Sequence, residues 1–217
     1  MRTKSLAILF GVFLTLGLVG SAGALELLTN GGFETGNLTG WAASNTAVLG
    51  SHLGVNPNEG SFMAVLGPLF GLGNASLSQG FNAGGLPGTV SFDYNLQSKD
   101  ILPGFDFGTD RLRVSIDGTT LVNVALNDVF GGGTTILGWQ TFSQFFAAIP
   151  AGPLTISFDM TNLILSGGNP DLFSAYVDDV SVSVPEPSAL LLLGSGLAGL
   201  GFLRRSRKQP ATLGARA

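Results

Sequence analysis

The sequence predicts an all-β fold, a single β-sandwich of the jelly-roll kind, on three observations. Between the chain ends, short runs of alternating apolar, β-branched and aromatic residues recur, separated by Gly, Asn, Asp and Pro. No stretch of that body carries the apolar period of an amphipathic helix. Asp117-Gly118, set between "RLRVSI" and "TTLVNVAL", reads as a two-residue hairpin turn, because glycine adopts positive φ freely and aspartate nearly so.

Taken in order, the chain starts with Arg2 and Lys4, an apolar run from Leu6 to Val19, and small residues at Ala22 and Ala24. That order is a secretory signal peptide over residues 1–24, removed by signal peptidase before Leu25. The body, residues 25–184, is then expected to hold strands at Glu26–Leu28, Ala47–Leu49, Ser61–Leu66, Ala75–Phe81 and Gly88–Gln97. Asp110–Ile116, Thr119–Leu126, Trp139–Ala147, Gly152–Asn162 and Ser174–Val184 complete the set. Gly131-Gly132-Gly133 is a flexible loop, and no lysine follows it to make a phosphate cradle. In the last strand, period two puts Tyr176, Asp178, Val180 and Val182 on one face, which the valines mark as the core face.

Charge narrows the partners. The whole chain carries −4, but residues 25–184 hold three basic residues against thirteen acidic ones, a net −10. Such a surface repels nucleic acid and anionic glycans and attracts cations. The chain has no cysteine, so an exported body must be held by its core, and about 160 residues suffice for one.

Catalytic parts are scarce. His52 is the only histidine, in "GSHLG", with no Gly-x-Ser-x-Gly elbow and no second imidazole for zinc. The body's three glutamates form no recognisable acid pair, so no enzymatic activity is expected. Most aromatics fall at alternating positions and belong in the core, Trp41 among them. The residues left for a ligand surface are Tyr94, Trp139 and, in the loop "ILPGFDFGTD", Phe105 and Phe107.

After the body come Pro185-Glu186-Pro187, an apolar run from Ser188 to Leu203, and Arg204, Arg205, Arg207 and Lys208. Two prolines keep the approach extended. The apolar run spans roughly 24 Å as a helix, enough for a thin or adapted bilayer, and the basic stop holds the tail, 209–217, in the cytoplasm. This order, over residues 185–208, resembles the PEP-CTERM sorting signal of Gram-negative bacteria. The resemblance implies an inner-membrane intermediate, processing by an exosortase near the Pro-Glu-Pro, and release to the cell surface or an extracellular polysaccharide matrix.

A second resemblance lies in "LLTNGGFETGNLTGW" (27–41) and "AYVDDVSVSV" (175–184), which are similar to the opening and closing strands of galactose-binding-like jelly rolls, including carbohydrate-binding modules, and in "NEGSFMAVLG" (58–67), which is similar to the glycine and strand that often follow in those domains. It implies glycan binding, and a structural calcium tying the first and last strands together. On this sequence the ion would take Glu34 and either Asp178 or Asp179, with main-chain oxygens near Asn30 and Glu59. Two functions follow as expectations: a non-enzymatic module binding exopolysaccharide, or an acidic structural surface protein that has no small ligand and is stiffened by calcium.

Overall fold

The computed structural model describes residues 23–67, 73–99, 110–125, 134–161, 172–186 and 193–199. Twelve strands follow one another: β1 (Ala24–Glu26), β2 (Ala42–Ser44), β3 (Thr46–Leu49), β4 (Met63–Leu66), β5 (Ala75–Phe81), β6 (Gly88–Lys99), β7 (Arg111–Ile116), β8 (Thr119–Ala125), β9 (Thr134–Ile136), β10 (Gln140–Phe146), β11 (Leu154–Thr161) and β12 (Leu172–Pro185). They form two sheets. One runs β10-β6-β12-β4-β3, with β1 added on β12 and β9 on β6; the other runs β2-β5-β11-β7-β8. The expected all-β sandwich is the observed one, and Glu26–Val184 is a compact unit.

Alternation builds the core. In β11, Leu154, Ile156, Phe158 and Met160 are buried while the residues between them are not. β5 does the same with Ala75, Leu77, Gln79 and Phe81. From the other sheet Val90, Phe92 and Leu96 face them. Phe92 stacks on Phe142 at 4.8 Å and meets Phe158 edge-on at 5.2 Å. Trp41 is buried among Phe33 and Phe158, the packing role its position predicts. The Asp117-Gly118 hairpin joins β7 to β8 with φ of 44° and 80°, the left-handed pair that a two-residue turn requires.

A smaller cluster lies on the outer face of the seven-stranded sheet. Val55, Met63, Val65 and Tyr176 pack there, flanked by Leu49 and Trp139. The Tyr176 hydroxyl donates to Gln97 Oε1 and lies 3.1 Å from His52 Nδ1, and burial pushes its pKa well above the ordinary range.

Here the last strand departs from the expected period. Between Asp178 and Ser181 the β12–β6 register slips, and Asp179 takes φ 47°. This bulge resets the alternation by one residue. Ala175 and Val177 before it and Val180, Val182 and Val184 after it all enter the main core, whereas Tyr176 belongs to the outer cluster and Asp178 lies beneath Asn58 and Glu59. Asp178 is buried, as expected, but not on the face of Val180 and Val182. At the same point β12 leaves β4, its partner through Val177, and its Val182 carbonyl accepts from Leu27.

Two strands escaped the sequence reading, β2 and β9, each three residues long. The glycine run at 131–133 and the signal segment through residue 22 lie outside the described residues. Beyond the body, 193–199 is helical, and no helix of the described residues is long and apolar enough to cross a membrane.

Candidate functional site: the outer face of the seven-stranded sheet

The strand order brings together side chains that are distant in sequence. On the face turned away from the core, register aligns Ser183 of β12 with Thr89 of β6 and Phe145 of β10. The next row is Ser181, Ser91 and Ser143, and the third is Asp178, Asp93 and Thr141. Strands about 4.8 Å apart and rows about 7 Å apart make the first two rows, with Thr141 of the third, a grid of short hydroxyl side chains, while Asp178 and Asp93 of the third row are buried at its border. Phe145 stands out of it with 66% of its surface exposed. Ser181 Oγ donates to Glu26 Oε2 at 2.5 Å, which fixes one hydroxyl at the border of the grid.

Trp139 closes the other end. Between β9 and β10 the chain holds one residue more than β6 does opposite it, and Gly138, at φ 83°, absorbs the excess. The following indole packs on the Val55 and Tyr176 cluster, half-buried, and its N–H donates to the Asn56 carbonyl at 3.1 Å. Six residues of strand put Trp139 and Phe145 roughly 20 Å apart, with Thr141 and Ser143 between them. Two aromatics bracketing hydroxyls can stack on the apolar faces of sugar rings while exchanging hydrogen bonds with their hydroxyls.

Acidic groups gather beside the grid. Asp178 Oδ2 accepts from the main-chain N–H groups of Asn58 (3.0 Å) and Glu59 (3.3 Å), and Oδ1 from that of Asp179 at 2.9 Å. Asn58 also donates its side-chain amide to Asp93 at 2.6 Å, so one asparagine spans two carboxylates. Burial pushes the Asp178 pKa up to about 6 against the pull of those main-chain donors, with Asp179 adding to the rise. Asp179 is raised as well, first by burial and then by Glu59, Asp93 and Glu34. Glu34 accepts from the main-chain N–H groups of Ser61 and Phe62 at 2.9–3.0 Å, pinning the 29–36 loop to the segment before β4. A Cβ on Gly32 would lie 3.3 Å from Asp179 Oδ1 and 3.9 Å from Glu34 Cγ, so these two acids flank one glycine.

The residues expected to hold calcium are therefore neighbours at one corner of the sheet. Main-chain N–H groups already occupy part of the Glu34 and Asp178 oxygens, and among the described residues no three acidic or histidine side chains converge as a metal cluster. An ion here would draw on the spare carboxylate lone pairs and on carbonyls.

The expected ligand residues fare differently. Trp139 lies on the outer face. Tyr94 lies on the inner one, half-buried with its ring 6.2 Å from that of Phe92, so the sheet separates the two. Phe105 and Phe107 lie outside the described residues. Sequence reasoning missed Phe145 and the hydroxyl grid, although "TVSF", "QTFSQFF" and "VSVSV" each alternate apolar with hydroxyl side chains. Elsewhere, a pocket of about 420 Å³ between Val90, Ile116, Leu121, Phe146 and Leu154 is almost wholly apolar and lacks the converging polar groups that orient a sugar.

Past Val184 the sequence runs Pro185-Glu186-Pro187, apolar segment, basic cluster. Residues 183–208 match the PEP-CTERM protein-sorting motif. The motif begins inside β12 and implies an exported protein that transits the membrane and is processed by an exosortase. No match was found among curated proteins. Among solved structures, TmCBM61 in complex with beta-1,4-galactotriose is similar at 16% identity, covering 73% of this chain and 97% of that one, with a TM-score of 0.49. The CBM22-1 xylan-binding domain from Paenibacillus barcinonensis Xyn10C is similar at 11% identity, covering 77% and 97%, with a TM-score of 0.39. The enzymatically active domain of the bacteriophage CBA120 tailspike protein 4 is similar at 14% identity, covering 73% and 21%, with a TM-score of 0.40.

Proposed function

We propose that this is an exosortase-sorted protein of the cell surface or extracellular matrix of a Gram-negative bacterium, whose body binds a neutral polysaccharide without catalysing a reaction. The observation that carries the binding reading is the hydroxyl grid bounded by Phe145 and Trp139. A net −10 over the body favours uncharged glycan over anionic glycan. Affinity electrophoresis of the body through gels containing the host's exopolysaccharide tests it. Retardation should fall about tenfold in apparent affinity in Phe145→Ala, the effect of losing about 1.4 kcal/mol of stacking. Equal mobility with and without every neutral polysaccharide tried would remove the binding reading and leave the acidic structural protein in its place.

Calcium belongs to this proposal as a stiffening ion. Glu34, Asp178 and Asp179 would hold it, and the support is electrostatic: after burial, the charges of Glu59, Asp93 and Glu34 help to raise Asp179. Calcium at about a hundred times its dissociation constant would add roughly 2.7 kcal/mol if it binds only the folded body. For sorting, mass spectrometry of the surface fraction should yield peptides only from before the apolar segment that follows Pro187.

A further inference from the structure

We infer that β10 is a self-association edge, through which two copies of this chain pair antiparallel across a twofold axis. Six strands have a neighbour on one side only among the described residues, and of these β1 and β9 are three residues long. β2 is three residues long, β3 is four residues and half-buried throughout, and β8 is broken by a register shift opposite Val114 and Ser115. Short length, cover and bulges are the devices by which sheet edges avoid pairing. β10 has none of them. It is seven residues long, holds unbroken register with β6 from Gln140 to Phe146, contains neither charge nor proline, and leaves five of its residues exposed. Phe145, on the outer row, is the most exposed large hydrophobic of the described body.

The occupant follows from the strand's own sequence. Antiparallel pairing centred on Ser143 sets Gln140 against Phe146 of the second copy, Thr141 against Phe145, Phe142 against Gln144, and Ser143 against itself. Every aromatic lands beside an amide or hydroxyl, and no charge opposes a like charge, although each body carries −10. A strand that complements itself in this way closes as a twofold dimer and presents no further edge. The edge is about 23 Å long and buries less than the roughly 1,200 Å² of a stable interface, so the dimer forms at the high local concentration of a surface layer and falls apart on dilution. The pairing does not depend on glycan and sets two hydroxyl grids side by side.

The test exploits the absence of native cysteine. In Ser143→Cys the two new thiols face each other across the axis, within the 4.4–6.8 Å Cα separation that a disulfide spans. On mild oxidation of the glycan-free body, residues 26–184, the cross-linked dimer should form about tenfold faster than in Ser44→Cys, an exposed position on another edge that measures chance collision. Sedimentation equilibrium should show a monomer–dimer equilibrium that Ser143→Lys abolishes with its far-ultraviolet dichroism unchanged. Equal cross-linking at the two positions, a monomer at every concentration up to about 1 mM, or open-ended polymers instead of dimers would each overturn the inference.

Discussion

Gly31 offers a direct test of how the corner beside the grid is built. A Cβ at this position would lie 1.8 Å from the Val180 carbonyl oxygen and 2.9 Å from its carbon, where ordinary contact begins near 3.4 Å. Gly31→Ala therefore has to drive the 29–36 loop and the β12 bulge apart by about 1.5 Å. Both neighbours are main chain, so no side chain can swing aside. The separation breaks the Val180 N–H to Gly31 carbonyl bond of 3.1 Å, worth about 1 kcal/mol, and forces a backbone shift worth about 2 kcal/mol more. Three kcal/mol at about 3 °C per kcal/mol lowers the midpoint of the body by roughly 10 °C. Gly80→Ala is the companion variant: in β5 its Cβ would meet only Leu154 O at 3.8 Å, and lost freedom in the unfolded chain should raise stability by about 0.5 kcal/mol. Thermal melts followed by near-ultraviolet dichroism, run in chelator, compare the three proteins. A Gly31→Ala midpoint within about 2 °C of wild type would refute the close loop-to-bulge contact.

Three other outcomes follow from the same packing and charges. In chelator the body should gain stability as pH falls from about 7 to about 4: folded Asp178 titrates near 6 against 3.8 in its ordinary state, so the folded form holds the proton more tightly and is penalised as pH rises through 6. Urea melts should show a gain on the order of 1–2 kcal/mol, less than the full shift because water still screens the group, and Asp178→Asn should reduce it. With millimolar calcium present the midpoint should rise by about 5 °C at neutral pH, chelator should reverse it, Glu34→Ala should abolish it, and the gain should vanish at low pH, because bound calcium needs ionised carboxylates. Phe92→Ala, which removes a buried ring that touches Phe142 and Phe158, should lose about 4 kcal/mol and more than about 10 °C.

Local pattern carried most of the fold. β5 was legible to the residue, and β7, β8 and β10 to within one or two, because each alternates under turn chemistry that its own neighbours supply. What escaped were features set by partners far away. β2 exists because β5 offers it an edge, and nothing in Ala42–Ser44 announces that. The β12 bulge is the sharper case. "AYVDDVSVSV" alternates well enough to suggest one face, yet the Gly31 carbonyl holds Val180 N–H and Asp179 turns left-handed, so the two halves of the strand are offset. Nor does the sequence display the hydrogen bonds of the acids at the candidate corner: Asp178 is held by a segment some 120 positions earlier and Glu34 by one 27 positions later. Tyr94 was misjudged as surface because periodicity does not say which of two faces is the covered one. The hydroxyl grid is a property of three strands in register, and no single strand displays it.

β12 is the last strand in the sequence and the middle one of the five-strand path β10-β6-β12-β4-β3. Everything that must pair with it emerges from the ribosome first and waits. Before Leu172–Pro185 arrives, β6 and β4 have no bridge between them, Val177, Val180, Val182 and Val184 are missing from the core, and the sheet is two disconnected ribbons. Long-range closure of this kind is slow and comes late in folding. For an exported chain that delay is an advantage, since a translocation channel passes unfolded polypeptide. The body can complete its sandwich only when β12, whose last residues are the first of the sorting motif, has itself emerged.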